Sequence, residues 1–117
     1  MNRTKTAVGF STRPPTDDYS KWVETLILTS GETRIVENTL GLVGEAGEVA
    51  EKIKKKLRDG SDVKPHEIIK ELGDVVFYAT ALANAFGSSL AEVQHINQEK
   101  LNSRKERGVL RGNGDSR

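Results

Sequence analysis

The period of the hydrophobic pattern is the tightest constraint on this chain. Nowhere does it alternate convincingly with period two, while three segments repeat apolar residues at helical spacing. A strand with one buried face needs that alternation, so the expected fold is all-α. Pro14-Pro15 closes an N-terminal arm (residues 1–15), because proline is excluded from helix interiors. Thr16 is placed to cap a first helix carrying Tyr19, Trp22, Val23, Leu26 and Ile27, with Asp17 and Asp18 favourable to its dipole. That helix should close near Ser30-Gly31. A second is expected from about Arg34 to Leu57 and a third from Pro65 to Phe86. The fourth opens on the capping box Ser89-x-x-Glu92 and runs to about Arg107. Residues 16–107 therefore read as a four-helix domain, and 108–117 as a Gly/Arg-rich tail.

A chain of 117 residues has room for one core. Only 35% of residues are hydrophobic and 5% aromatic, against 30% charged, a thin core that points to burial supplied by a second copy. The 18 Lys+Arg nearly cancel the 17 Asp+Glu, which argues against a binder of nucleic-acid polymers. No apolar run reaches the roughly 18 residues of a membrane helix. Met1–Phe10 lacks the hydrophobic stretch of a secretory signal, so cytoplasm is the expected compartment. The absence of Cys excludes thiolate metal sites and Cys nucleophiles.

The carboxylates carry the chemistry. On a wheel of about 100° per residue, Leu42, Ala46, Val49, Ala50, Ile53 and Leu57 form an apolar stripe, with Glu45 and Glu48 on one flank. Ile68, Leu72, Val75, Val76, Ala79 and Phe86 repeat the arrangement on the third helix, with Glu71 and Asp74 on the flank of the same sense. The short Arg58–Lys64 link makes the two helices antiparallel neighbours. A two-fold rotation relating such neighbours brings flanks of one sense to one side, so Glu45, Glu48, Glu71 and Asp74 are expected to face one groove. Four like charges there call for a proton or a cation. All-oxygen ligation suits Mg²⁺, with Mn²⁺ as a substitute. The competing reading is a solvated acidic flank beside Lys52, Lys55 and Lys56. Gly44 and Gly47, inside a helix at about 1 kcal/mol each, suggest a close approach by a helix or ligand. Val36, Leu40, Ala81 and Ala85 suggest a second, small-residue contact face.

The segment Gly41-Leu42-Val43-Gly44-Glu45-Ala46-Gly47-Glu48-Val49-Ala50-Glu51, followed by Glu71-Leu72-Gly73-Asp74-Val75, resembles the MazG-like all-α nucleoside triphosphate pyrophosphohydrolases. Their signature is E-x-x-E, a spacer, then E-x-x-D; here 22 residues separate Glu48 from Glu71. The resemblance covers roughly residues 34–117. It implies a four-helix bundle completed by a homodimer or homotetramer. It further implies Mg²⁺-dependent cleavage of (deoxy)nucleoside triphosphates to the monophosphate and pyrophosphate, in nucleotide-pool control or house-cleaning. A guanine nucleotide such as dGTP is among the candidate substrates. By resemblance Glu45, Glu48, Glu71 and Asp74 are the metal ligands and catalytic carboxylates. Asn97, Lys100 and Arg104, on one face of the fourth helix, would bind substrate, as would Tyr78 and, in the tail, Arg111. Trp22 is a candidate to stack on the base, set against a core role, and Lys54 is a lesser phosphate candidate. Two other readings stand beside this one. A non-catalytic helical interaction module would leave the glutamates merely solvated. A carboxylate-bridged di-metal protein would need two Glu-x-x-His motifs, and only Glu92-x-x-His95 is present.

Overall fold

The computed structural model describes residues 13–117; Met1–Phe10, read above for a targeting signal, and most of the N-terminal arm lie outside them. Four helices and no strand make up the described residues: α1 Asp18–Thr25, α2 Gly31–Asp59, α3 Pro65–Ala85 and α4 Leu90–Glu106. Each boundary has a local cause. The cap of α1 is Asp17 rather than Thr16, its carboxylate accepting from the Ser20 N–H at 3.0 Å. The helix stops at Thr25, short of Ser30, where Leu26 and Ile27 turn their N–H groups back to Val23 and Glu24 three residues earlier. The long α2 ends at Gly60, whose φ of 67° is the left-handed cap conformation that glycine takes without penalty. Pro65 opens α3, and Ser89 caps α4 by accepting from the Glu92 N–H at 3.1 Å. The reverse half of the capping box is not made: Glu92 accepts from Ser88 Oγ instead, at 2.8 Å.

α3 runs antiparallel along α2, pairing Arg34 with Ala81, Gly41 with Tyr78 and Lys52 with Glu71. The face of α2 that α3 covers takes in only the near edge of the apolar stripe, Leu42 and Val49. Its most enclosed members are Arg34, Asn38, Gly41, Leu42, Glu45, Val49 and Lys52, a line roughly 80° around the helix from that stripe. Leu42 and Val49, the stripe members nearest that line, are half-buried; the rest of the α2 stripe is open, with Leu57 83% exposed and Ala46, Ala50 and Ile53 also exposed, as are Leu72 and Val76 of α3. Only Val23, Ala81 and Ala85 are buried hydrophobic residues among those described. Ala81 and Ala85, expected on a contact face, are thus interior, whereas their expected companions Val36 and Leu40 are exposed. A Cβ on Gly44 or Gly47 would meet nothing within 4 Å, so the close approach expected there is not made among the described residues. The Cα radius of gyration is 17.0 Å, against about 13 Å for a compact domain of this length.

Polar nodes take the place of a larger core. Arg34, buried on α2, donates from Nη1 to Glu24 Oε2 of α1 at 3.0 Å, and from Nη2 to Glu24 Oε1 and to the Ala81 carbonyl of α3 (2.9 Å). Asn84 of α3 donates to Glu24 Oε1 at 3.0 Å and to the Ser20 carbonyl at 2.9 Å. At the far end of α1, the Leu90 N–H donates to Ser20 Oγ at 2.7 Å and the Ala91 N–H to Asp17 Oδ1 at 3.2 Å. Burial opposes the charge of Asp17, but the hydrogen bonds from Ser20, Ala91 and Ser89 prevail and lower its pKa. The N-terminus of α4 is in this way held by the cap of α1. Arg13 adds a bond from Nε to the Gly87 carbonyl at 2.8 Å.

Candidate functional site

Because α3 lies on the flank of α2 rather than squarely on its stripe, the carboxylates fall at the seam between the two helices. One carboxylate oxygen each from Glu45, Glu71 and Asp74 lies within 4.8 Å of the others. Glu45 and Glu71 are half-buried and Asp74 is exposed. Desolvation raises the pKa of Glu45, and so do its hydrogen bond with Glu71 and the charges of Asp74, Glu71 and Glu48. Glu48 therefore acts on the cluster through its field without joining it; it stands exposed on the outer side. Lys52 Nζ approaches Glu71 at 4.0 Å from one turn further along α2. Three converging hard oxygen donors, one of them desolvated and made basic, suit a divalent cation of the Mg²⁺ or Mn²⁺ kind.

Next to the trio is a cavity of about 520 Å³ lined by Tyr19, Trp22, Leu26, Glu45, Gly73, Asp74, Phe77 and Tyr78. Its aromatic wall is a chain of ring contacts. Tyr19 and Trp22 are 5.6 Å apart between centroids, Trp22 and Phe77 meet edge-on at 6.2 Å, and Phe77 and Tyr78 edge-on at 5.4 Å. Trp22 is 52% exposed and lines this cavity instead of lying in a core. Burial, and then the charge of Asp74, raise the pKa of Tyr19 and keep its phenol neutral beside the carboxylates. Tyr19 and Phe77 had no functional reading in the sequence. Their only sequence signal was the aromatic spacing Tyr19-x-x-Trp22 and the Phe77-Tyr78 pair beside Asp74.

The fourth helix is elsewhere. α4 packs on α1 and α3 and makes no comparable contact with α2. Asn97 is exposed. Arg104, only 4% exposed, donates from Nη2 to the Asp115 carbonyl at 2.8 Å and to Asp115 Oδ1 at 3.0 Å. Lys100 Nζ joins the same oxygen at 3.3 Å. The tail is folded back on its own helix, tied further by Arg117 Nε to the Val109 carbonyl at 3.1 Å and Nη2 to the Leu110 carbonyl at 3.0 Å. Arg111 projects into solvent. Lys54 pairs with Glu51 at 3.4 Å and stays at the surface. The His95 ring faces Glu99 at 3.1 Å on an exposed turn, and Glu92 is taken by Ser88, so the di-metal motif finds no partner among the described residues.

The Asp115 latch has a pH consequence. Hydrogen bonds from Arg104 and Lys100, with the charges of both, lower the Asp115 pKa. A depressed carboxyl contributes order that is complete above its unfolded pKa and is lost as pH falls through its folded value. Protease nicking within residues 108–117 is therefore expected to accelerate on acidification below the ordinary carboxylate range. Asp115→Ala should show the fast nicking already at neutral pH. Equal rates for both proteins at neutral pH would contradict the latch.

Comparison with known families matches residues 35–109 to the MazG nucleotide pyrophosphohydrolase domain. A curated relative, the Gene 37 protein of Mycobacterium phage L5, is 51% identical over 83 residues, which is 68% of this chain and 73% of that protein. No solved structure matches. No helix among the described residues is long and apolar enough to cross a membrane. The matched span holds all of the carboxylate trio together with Phe77 and Tyr78, and with it the chain belongs to the MazG nucleotide pyrophosphohydrolase family.

Proposed function

We propose that this protein hydrolyses (deoxy)nucleoside triphosphates to the nucleoside monophosphate and pyrophosphate with Mg²⁺, in nucleotide-pool control. The observation that carries the proposal is the joining of two unlike surfaces in one site: an aromatic wall and a carboxylate trio share the cavity edge at Glu45 and Asp74. A nucleoside triphosphate has the same polarity, with a flat base at one end and a polyanion at the other. Trp22, Phe77 and Tyr78 offer ring faces and edges to the base. Glu45, Glu71 and Asp74 would hold the cation, which supplies charge neutralisation for the phosphates and acidifies the attacking water. Glu48, beside the trio but outside it, is the carboxylate left to accept the water's proton. The water oxygen bonds to the α-phosphorus, the bond from that phosphorus to the α,β-bridging oxygen breaks, and pyrophosphate leaves. Incubation with each common nucleoside triphosphate and Mg²⁺ should release monophosphate and pyrophosphate in equal amounts. Orthophosphate with diphosphate, or no product with any base, would overturn the proposal.

The same proposal includes a homodimer or homotetramer. Its support is the open stripe of Ile53, Leu57, Leu72 and Val76 on the α2–α3 pair, an apolar face of the kind monomers seldom leave uncovered. Lys100, Arg104 and Arg111 would then reach the phosphates only by way of the assembly or of a rearranged tail. Light scattering at micromolar concentration is expected to give at least twice the 12.9 kDa chain mass. A monomer would remove this part of the reading.

A further inference from the structure

We propose that Gly41 is the positioning residue of the nucleoside cavity: its missing side chain is the space into which the Tyr78 ring fits, and this sets the cavity's width. The inference rests on the reading of that cavity as the nucleoside site. Gly41 lies well inside α2 with ordinary helical backbone, so no turn or positive φ asks for glycine. Helix propensity argues against it there. What asks for it is space. A Cβ built on Gly41 would stand 2.6 Å from Cδ1 and Cζ of Tyr78 and closer still to Cε1. These atoms belong to a rigid ring and cannot be moved singly, so the whole ring must turn or the helices must part. Gly44 and Gly47, three and six residues on, have nothing within 4 Å of such an atom. Of the glycines in α2, only Gly41 would bring a Cβ against a side chain of α3.

The consequence passes along the rings. Tyr78 is edge-on to Phe77, and Phe77 is edge-on to Trp22, both lining the cavity with it. A Tyr78 ring displaced by a methyl group presses on that chain and alters the surface offered to the base. The carboxylates answer to a different part of the seam, beginning one turn later at Glu45. Gly41 thus governs the base end of the site and leaves the phosphate end alone.

The test is Gly41→Ala, alone and combined with Tyr78→Leu. Trp22 is the chain's single tryptophan, so intrinsic emission reports the ring chain directly. In the wild-type background Gly41→Ala is expected to shift that emission and the Tyr78 ring-proton resonances. KM for the triphosphate should rise about tenfold, with kcat within about twofold and Mn²⁺ affinity unchanged. With Tyr78→Leu already present, adding Gly41→Ala should change KM by less than about twofold. Unaltered Trp22 emission and Tyr78 resonances in Gly41→Ala would overturn the proposal, and so would equal KM effects in the two backgrounds. A fall in kcat together with lost Mn²⁺ affinity would show that the helices had parted, which also overturns it. If the wild-type protein hydrolyses no triphosphate, the functional reading fails, yet the emission and resonance shifts still decide whether Gly41 seats Tyr78.

Discussion

Glu45→Gln is expected to lower kcat by about 10²–10³-fold, the size of effect seen when one preorganised electrostatic partner is removed from a reacting centre. The same substitution should make the metal-free protein more stable, and this opposition of signs is its diagnostic. Glu45 is crowded by Glu71, Asp74 and Glu48 and is partly desolvated, so its pKa is raised. A carboxyl in that position favours the folded state while protonated, and the advantage is lost as pH rises through its folded pKa. Glutamine keeps the shape and carries no charge to repel. The gain in melting temperature of Glu45→Gln over wild type should therefore grow from acidic to neutral pH. Addition of Mn²⁺ should reverse the order, stabilising wild type through the mass action of a bound ligand and leaving Glu45→Gln almost unmoved. Thermal melts at several pH values, with and without Mn²⁺, check this. A variant that loses stability without metal, or keeps full turnover, would show Glu45 to be structural.

Arg34→Ala is expected to cost about 3–5 kcal/mol in urea unfolding, the range for breaking one side of a buried ion pair. The guanidinium of Arg34 joins α1 to α2 and α3 through Glu24 and the Ala81 carbonyl, and Asn84 completes the node. Buried hydrophobic residues are few among those described, so this node carries a large share of what holds α1 on α2 and α3. Arg34→Lys should recover only part of the loss, because an ammonium cannot make the paired contacts of a guanidinium. The functional effect follows from the topology: α1 carries Tyr19 and Trp22, so a loosened α1 should raise KM before it lowers kcat. Unchanged unfolding free energy in Arg34→Ala would mean that the node contributes nothing net.

The four helices could be read in the sequence because their signals are local. Pro65, Gly60 and Ser89 act within a few residues of where they stand, through fixed φ, a left-handed cap and a side-chain acceptor. The approach of Glu45, Glu71 and Asp74 was also legible, since a short link forces antiparallel neighbours and the wheel gives each flank its sense. The cap at Asp17, where Thr16 was expected, was not, because that carboxylate also serves the N-terminus of α4, seventy-four residues away in the chain.

Which face of α2 meets α3 was a tertiary decision. The sequence announces an apolar stripe, but a stripe says only that something covers it, not that the neighbouring helix does. In the structure α3 takes the flank of the stripe, where Gly41 admits Tyr78 and Arg34 reaches Ala81, and most of the stripe is left open. That choice separates Glu48 from the trio, and the packing of α1 on α3 assembles the aromatic wall from two helices. The placement of α4 on α1 and α3 leaves Lys100 and Arg104 with Asp115 instead of the carboxylates. Local sequence thus determined the helices and the chemistry they carry. Only long-range packing decided which of those groups would meet, because the energies that choose between two faces of one helix come from residues far apart along the chain.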